Sequence, residues 1–80
     1  MQTIFIIVKC ELGQAYGVAD RTSQSVEQVS EVHSISRQND LLMKYYLGAG
    51  EDIGHFVTEK IQAIPGIKDT LTLIASKAFT

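Results

Sequence analysis

Eighty residues with 45% apolar and 20% charged side chains and one proline describe a soluble globular domain and exclude a disordered or fibrous chain. The formal net charge is −2, with no two Lys or Arg adjacent, so this chain alone does not neutralise phosphates well enough to hold DNA or RNA. A chain of this length buries only roughly two-thirds of its unfolded surface, which leaves it marginal and favours support from a partner subunit.

The apolar run Ile4-Phe5-Ile6-Ile7-Val8 is too short to cross a bilayer and lacks the basic flank of a signal peptide, so it reads as a strand. From Thr3 to Cys10 both alternating sets are apolar, with Ile4, Ile6, Val8 and Cys10 on one side and Phe5 and Ile7 on the other. Such a strand is covered on both faces. The lone Cys10 has no internal disulfide partner, which fits a reducing compartment, and a cytoplasmic location is expected.

Gly13 closes this strand, and Ala15, Val18, Ala19, Thr22 and Val26 recur at helical spacing, predicting a first helix over about Gln14 to Gln24 with a thin stripe of small residues. Val29 to Ser36 reads as a half-buried strand, with Val29, Glu31, His33 and Ile35 alternating against Ser30, Val32, Ser34 and Ser36. Arg37-Gln38-Asn39 turns the chain into a third strand, Asp40 to Leu47, making a hairpin with a polar tip.

After Gly48-Ala49-Gly50, the residues Ile53, Phe56, Val57, Ile61 and Ile64 predict a second helix over about Asp52 to Ala63, with Glu51 and Asp52 complementing its dipole. Ile64-Pro65-Gly66-Ile67 stops it, and Ile67 to Lys77 forms a fourth strand in which Leu71, Leu73 and Ala75 alternate with Thr70, Thr72 and Ile74. The order β-α-β, β-α-β is the split βαβ plan of a ferredoxin-like α+β domain: a four-stranded antiparallel sheet with two helices on one face and the other face open. That open face, apolar through Phe5 and Ile7, is expected to be covered by a second copy.

No catalytic set emerges. The glycines Gly48, Gly50 and Gly54 are spaced GxGxxxG, and Glu51 and Asp52 stand where a phosphate needs positive potential, which favours a plain turn over a nucleotide loop. His33 and His55 lack neighbours at metal-ligand spacing, and Cys10 reads as a buried strand cysteine. No metal and no cofactor are expected. Polar groups concentrate at the hairpin tip Ser36-Arg37-Gln38-Asn39-Asp40, and Thr70 and Thr72 interrupt a strand otherwise free to be apolar. A solvated turn explains the tip alone; together with the threonines it suggests the lining of a small-molecule pocket.

Taken together, Val32-His33-Ser34-Ile35-Ser36, a turn, Asp40-Leu41-Leu42-Met43-Lys44, then Phe56-Val57, Ile64-Pro65-Gly66-Ile67 and Thr70-Leu71-Thr72 resemble the effector-binding domain of the Lrp/AsnC (leucine-responsive regulator) family over essentially the whole chain. The resemblance implies a non-enzymatic module of transcriptional regulation that binds an amino acid or similar small metabolite. It implies homodimers paired through their sheets and assembled into octamers or decamers, with full-length regulators of the family as further partners. With no room for a helix-turn-helix, residues 1–80 look like the stand-alone form of the domain, without direct nucleic-acid or membrane contact. On this resemblance Asp40 pairs with a ligand ammonium, Thr70 and Thr72 offer hydroxyls, and Ser36, Arg37, Gln38 and Asn39 shape the mouth.

The family hairpin reads (Ser/Thr)-Gly-x-(aromatic or His)-Asp, whereas here Arg37 takes the glycine position and Asn39 the aromatic one. Arg37 then either meets a ligand carboxylate itself or abolishes binding and redirects assembly. Two other readings stand beside the sensor: an assembly subunit that joins full-length regulators without binding a ligand, and a small enzyme of the dimeric α+β barrel type using His33, His55 and Tyr45 or Tyr46.

Overall fold

The computed structural model describes residues 1–36 and 40–78. The chain runs β1 (Gln2–Cys10), α1 (Ala15–Ser25), β2 (Val29–Ser34), β3 (Asp40–Leu47), α2 (Ile53–Phe56, continued as a π-helix over Val57–Ile61) and β4 (Ile67–Ala75). The sheet order is β2-β3-β1-β4, antiparallel at every junction, so the two central strands are β3 and β1. This is the ferredoxin-like α+β fold expected from the sequence.

The alternation of β1 and β3 divides the sheet. Ile4, Ile6, Val8 and Cys10 of β1 and Leu41, Met43, Tyr45 and Leu47 of β3 are buried beneath Val18 of α1 and Val26 just after it, Phe56, Val57 and Ile61 of the second helix, and Ile64 just beyond that helix. Tyr45 sits at the centre of this layer, its ring edge-on to Phe56 at 5.3 Å and its hydroxyl donating to Met43 Sδ at 3.0 Å. Burial pushes the Tyr45 phenol up from its ordinary pKa. The opposite face carries Phe5, Ile7, Leu42, Tyr46, Leu71 and Leu73; the last two remain 55% and 45% exposed.

Three local departures from the sequence reading have physical causes. In β2, Val29 pairs with Tyr45 but Glu31 with Lys44, so Ser30 is an extra residue opposite a single step of β3. The bulge brings Val29 and Val32 to the same helix-side face, where strict alternation had separated them. The second helix is α-helical for one turn only, because Gln62 N–H reaches back to Val57 O at 2.8 Å, an i→i+5 bond. Finally β2 and β4 end at Ser34 and Ala75, two residues short of the expected Ser36 and Lys77.

The turn between α2 and β4 is tied to α1. Gly66 has φ +97°, its carbonyl accepts from Glu11 N–H at 2.7 Å, and a Cβ there would lie 2.9 Å from Val18 Cγ2. The neighbouring Pro65 carbonyl accepts from Arg21 Nη2 at 2.8 Å. Around Gly48-Ala49-Gly50, Gln2 Nε2 donates to the carbonyls of Gly48 and Glu51 at 2.9 and 3.0 Å, and Asp52 caps α2 by accepting from His55 N–H at 3.1 Å. The glycines thus serve a strand-to-helix turn.

Candidate functional site at one end of the open face

Strand pairing sets Asp40 of β3, Lys9 of β1 and Asp69 of β4 side by side across the sheet, since Lys9 is the register partner of both aspartates. One step along the strands, Leu42, Ile7 and Leu71 make a second, apolar row on the same face. Between the rows lies a concavity of about 290 Å³ lined by Ile7, Lys9, Asp40, Asp69, Thr70 and Leu71. The β1–β4 register shifts between Lys9 and Cys10, so a bulge borders the charged row. Bulges of this kind re-aim side chains and recur beside functional sites.

The three charges are presented differently. Asp40 is only 3% exposed, its carbonyl closing the hairpin by accepting from Ile35 N–H at 3.4 Å. Burial, and then the negative charge of Asp40, push the Cys10 thiol pKa up, so this cysteine is a poor thiolate. Lys9 and Asp69 are both exposed; Asp69 Oδ1 accepts from Thr70 N–H at 2.9 Å, and Lys9 makes no ion pair among the described residues.

The expected site residues are divided by the pleat. Asp40 and Thr70 line the concavity, and Ser36 is exposed just beyond β2. Thr70 and Thr72 pair with Val8 and Ile6, which puts their hydroxyls on the helix side of the sheet; Thr70 Oγ1 there accepts from Gln62 Nε2 at 2.9 Å. Arg37, Gln38 and Asn39 lie outside the described residues. Lys9, Asp69, Ile7 and Leu71 were not expected as lining residues. The only trace in the sequence was Lys9 itself, a charge breaking an apolar run.

Elsewhere on the open face, Lys44 Nζ stands 5.9 Å from the Phe5 ring centre, 5.1 Å from that of Tyr46 and 3.7 Å from Glu31 Oε2. His33 Nε2 lies 2.8 Å from Glu31 Oε1, and this bond, with Lys44 beside it, lowers the Glu31 pKa. His55, on α2, faces Glu59 one turn on at 3.2 Å. Of the residues named for an enzymatic reading, His33 and Tyr46 therefore lie on the open sheet face, His55 on an exposed helix face and Tyr45 in the core. Among the described residues, no group of three or more His, Cys, Asp or Glu is placed to hold a metal, and no helix is long and apolar enough to cross a membrane.

An HTH-type transcriptional regulator of Pyrococcus abyssi is 30% identical over 79 residues, covering 91% of this chain and 50% of the regulator, so the chain spans about half the length of the curated relatives it matches. Among solved structures, FFRP-DM1 is 30% identical with a TM-score of 0.85, covering 95% of this chain and all of that one. The regulator NMB0573 of Neisseria meningitidis, solved as a complex with L-Met, shares the fold with a TM-score of 0.81 at 16% identity, covering 99% of this chain and 52% of that one. The family model described as the Lrp/AsnC ligand binding domain matches residues 3–80, and the chain belongs to that family of transcriptional-regulator domains.

Proposed function

We propose that this domain is a non-enzymatic sensor that binds a free amino acid at the Asp40 end of its open sheet face and passes occupancy to a regulatory assembly. The observation that carries the reading is the concavity in which a charged row adjoins an apolar row on one face. Membership of a ligand-binding family supports it, as does the L-Met bound by the Neisseria protein of the same fold. The rest of the open face, with Leu73 half exposed beside Phe5 and Tyr46, pairs with a second copy. Stacked faces leave the charged row at the rim, where a ligand bridges copies. Higher rings, octamers or decamers, and mixed assemblies with full-length regulators use the same surfaces, in the cytoplasm.

The test is a thermal-shift screen against the twenty amino acids, L-methionine first, with oligomer size followed by light scattering. A ligand at about a hundred times its dissociation constant adds roughly 2.7 kcal/mol, several degrees in a domain this small. A shift with one or a few amino acids supports the sensor. No shift from any of them, with the oligomer intact, overturns it in favour of an assembly subunit.

A further inference from the structure

We infer that the ligand's two charged groups are met by Lys9 and Asp69, with Lys9 holding the α-carboxylate, Asp69 the α-ammonium, and Ile7 with Leu71 receiving an apolar side chain. This rests on the amino-acid reading above and assigns its contacts. Asp40, the residue the hairpin singles out, is sealed at 3% exposure and offers an incoming ligand little open carboxylate. Asp69 is exposed at the other end of the same row, and its Oδ1 is already oriented by Thr70 N–H, leaving the second oxygen directed away from that bond. Lys9, exposed and in no ion pair among the described residues, stands between them.

Charge pattern selects the ligand class. Asp69 disfavours phosphates and dicarboxylates and Lys9 disfavours polyamines, whereas a zwitterion satisfies both signs at once. Adjacent strands lie roughly 4.8 Å apart, and the flexible stem of Lys9 adjusts its ammonium to a carboxylate whose own amino group is two bonds away. The apolar row lies one pleat repeat along the same strands, roughly 7 Å from the charged row, which is the direction an α-substituent takes from the two charged groups. Ile7 and Leu71 then favour an aliphatic or thioether side chain over a charged one.

The experiment is isothermal titration of the intact protein with L-leucine, L-methionine, L-glutamate and L-lysine, and with two fragments of leucine, 3-methylbutylamine and 4-methylpentanoate. The wild-type protein is expected to prefer leucine or methionine over glutamate, lysine and both fragments. Lys9→Met should lose about tenfold or more in affinity for the amino acid while leaving the amine unaffected. Asp69→Asn should lose a similar factor for the amino acid while leaving the acid unaffected, each loss being that of one charge-assisted hydrogen bond. Asparagine keeps an acceptor for Thr70 N–H, and circular dichroism melts confirm that both variants fold. If Asp40→Asn abolishes binding while Lys9→Met and Asp69→Asn do not, the assignment is wrong and the sensor reading stands. If the wild-type protein binds no amino acid, both fall together.

Discussion

Replacing Gly66 by alanine tests the tie between the α2–β4 turn and α1, and two other glycines provide the scale. Gly66 combines φ +97° with a Cβ position 2.9 Å from Val18 Cγ2 and 3.2 Å from Gln14 Cβ, whereas Gly13 has φ +77° and nothing within 4 Å of its Cβ position. Gly50 has neither a positive φ nor a neighbour within that distance. Left-handed backbone costs an L-residue about 1–2 kcal/mol, and forcing a methyl into a packed contact adds about 1–3 kcal/mol. Gly66→Ala should therefore destabilise by about 2–5 kcal/mol, Gly13→Ala by about 1–2, and Gly50→Ala by less than ~0.5. A domain of this size holds about 4–12 kcal/mol in all, so the first variant loses a large share and its melting point falls by roughly 8 °C or more. Urea melts at one fixed protein concentration give all three values, and the unfolded-state gain on losing a glycine is common to them. If Gly66→Ala and Gly13→Ala agree within ~0.5 kcal/mol, the contact with Val18 is not the tight one described. A double-mutant cycle with Val18→Ala should recover part of the loss, since Val18 Cγ2 is the nearest obstacle.

Two further substitutions address the core and the start of α2. Tyr45→Phe should cost less than ~1 kcal/mol at neutral pH, because the hydroxyl donates only to the weak acceptor Met43 Sδ. Since burial raises the folded pKa of Tyr45 above its unfolded value of about 10, the folded state keeps the proton longer. Stability is then fully present below about pH 10 and declines as pH rises toward the folded pKa. Urea melts between pH 8 and 11 should show a steeper alkaline loss in wild type than in Tyr45→Phe, and parallel curves refute this. Asp52→Ala should cost about 0.5–2 kcal/mol by removing the acceptor for His55 N–H, with Asp52→Asn recovering most of it in thermal melts.

The architecture was legible because each element carries its own periodicity. The two apolar sets of β1 and the helical spacing from Ile53 to Ile64 place strands and helices without tertiary information. What escaped depends on register. A bulge at Ser30 inverts an alternation without altering composition, and the π-turn at Val57–Ile61 presents much the same buried positions as an α-helix. The site was half legible for the same reason. Asp40 announces itself through the hairpin, but Asp69 lies far away in sequence and joins it only because both neighbour Lys9. Thr70 borders the concavity, yet its hydroxyl turns to Gln62 on the helix side, a placement hidden because one strand in isolation does not reveal which of its two faces the helices cover. Gly17, inside α1, is explained only by Arg21, whose guanidinium would stand 3.2 Å from a Cβ there.

The place of β1 in the sheet governs how the domain must form. The first strand made is a central one, bonded to β3 on one side and to the last strand, β4, on the other, with Ile4 opposite Ile74. Closing that pairing requires nearly the whole chain, and folding dominated by such distant contacts is slow relative to helical bundles of equal size. While β4 is still being synthesised, β1 waits with an unpaired edge and apolar side chains on both faces, the combination most prone to wrong pairing with a neighbouring chain. Removing β4 should therefore damage solubility along with the concavity that Asp69 and Leu71 line, because it turns a central strand of the domain into an edge.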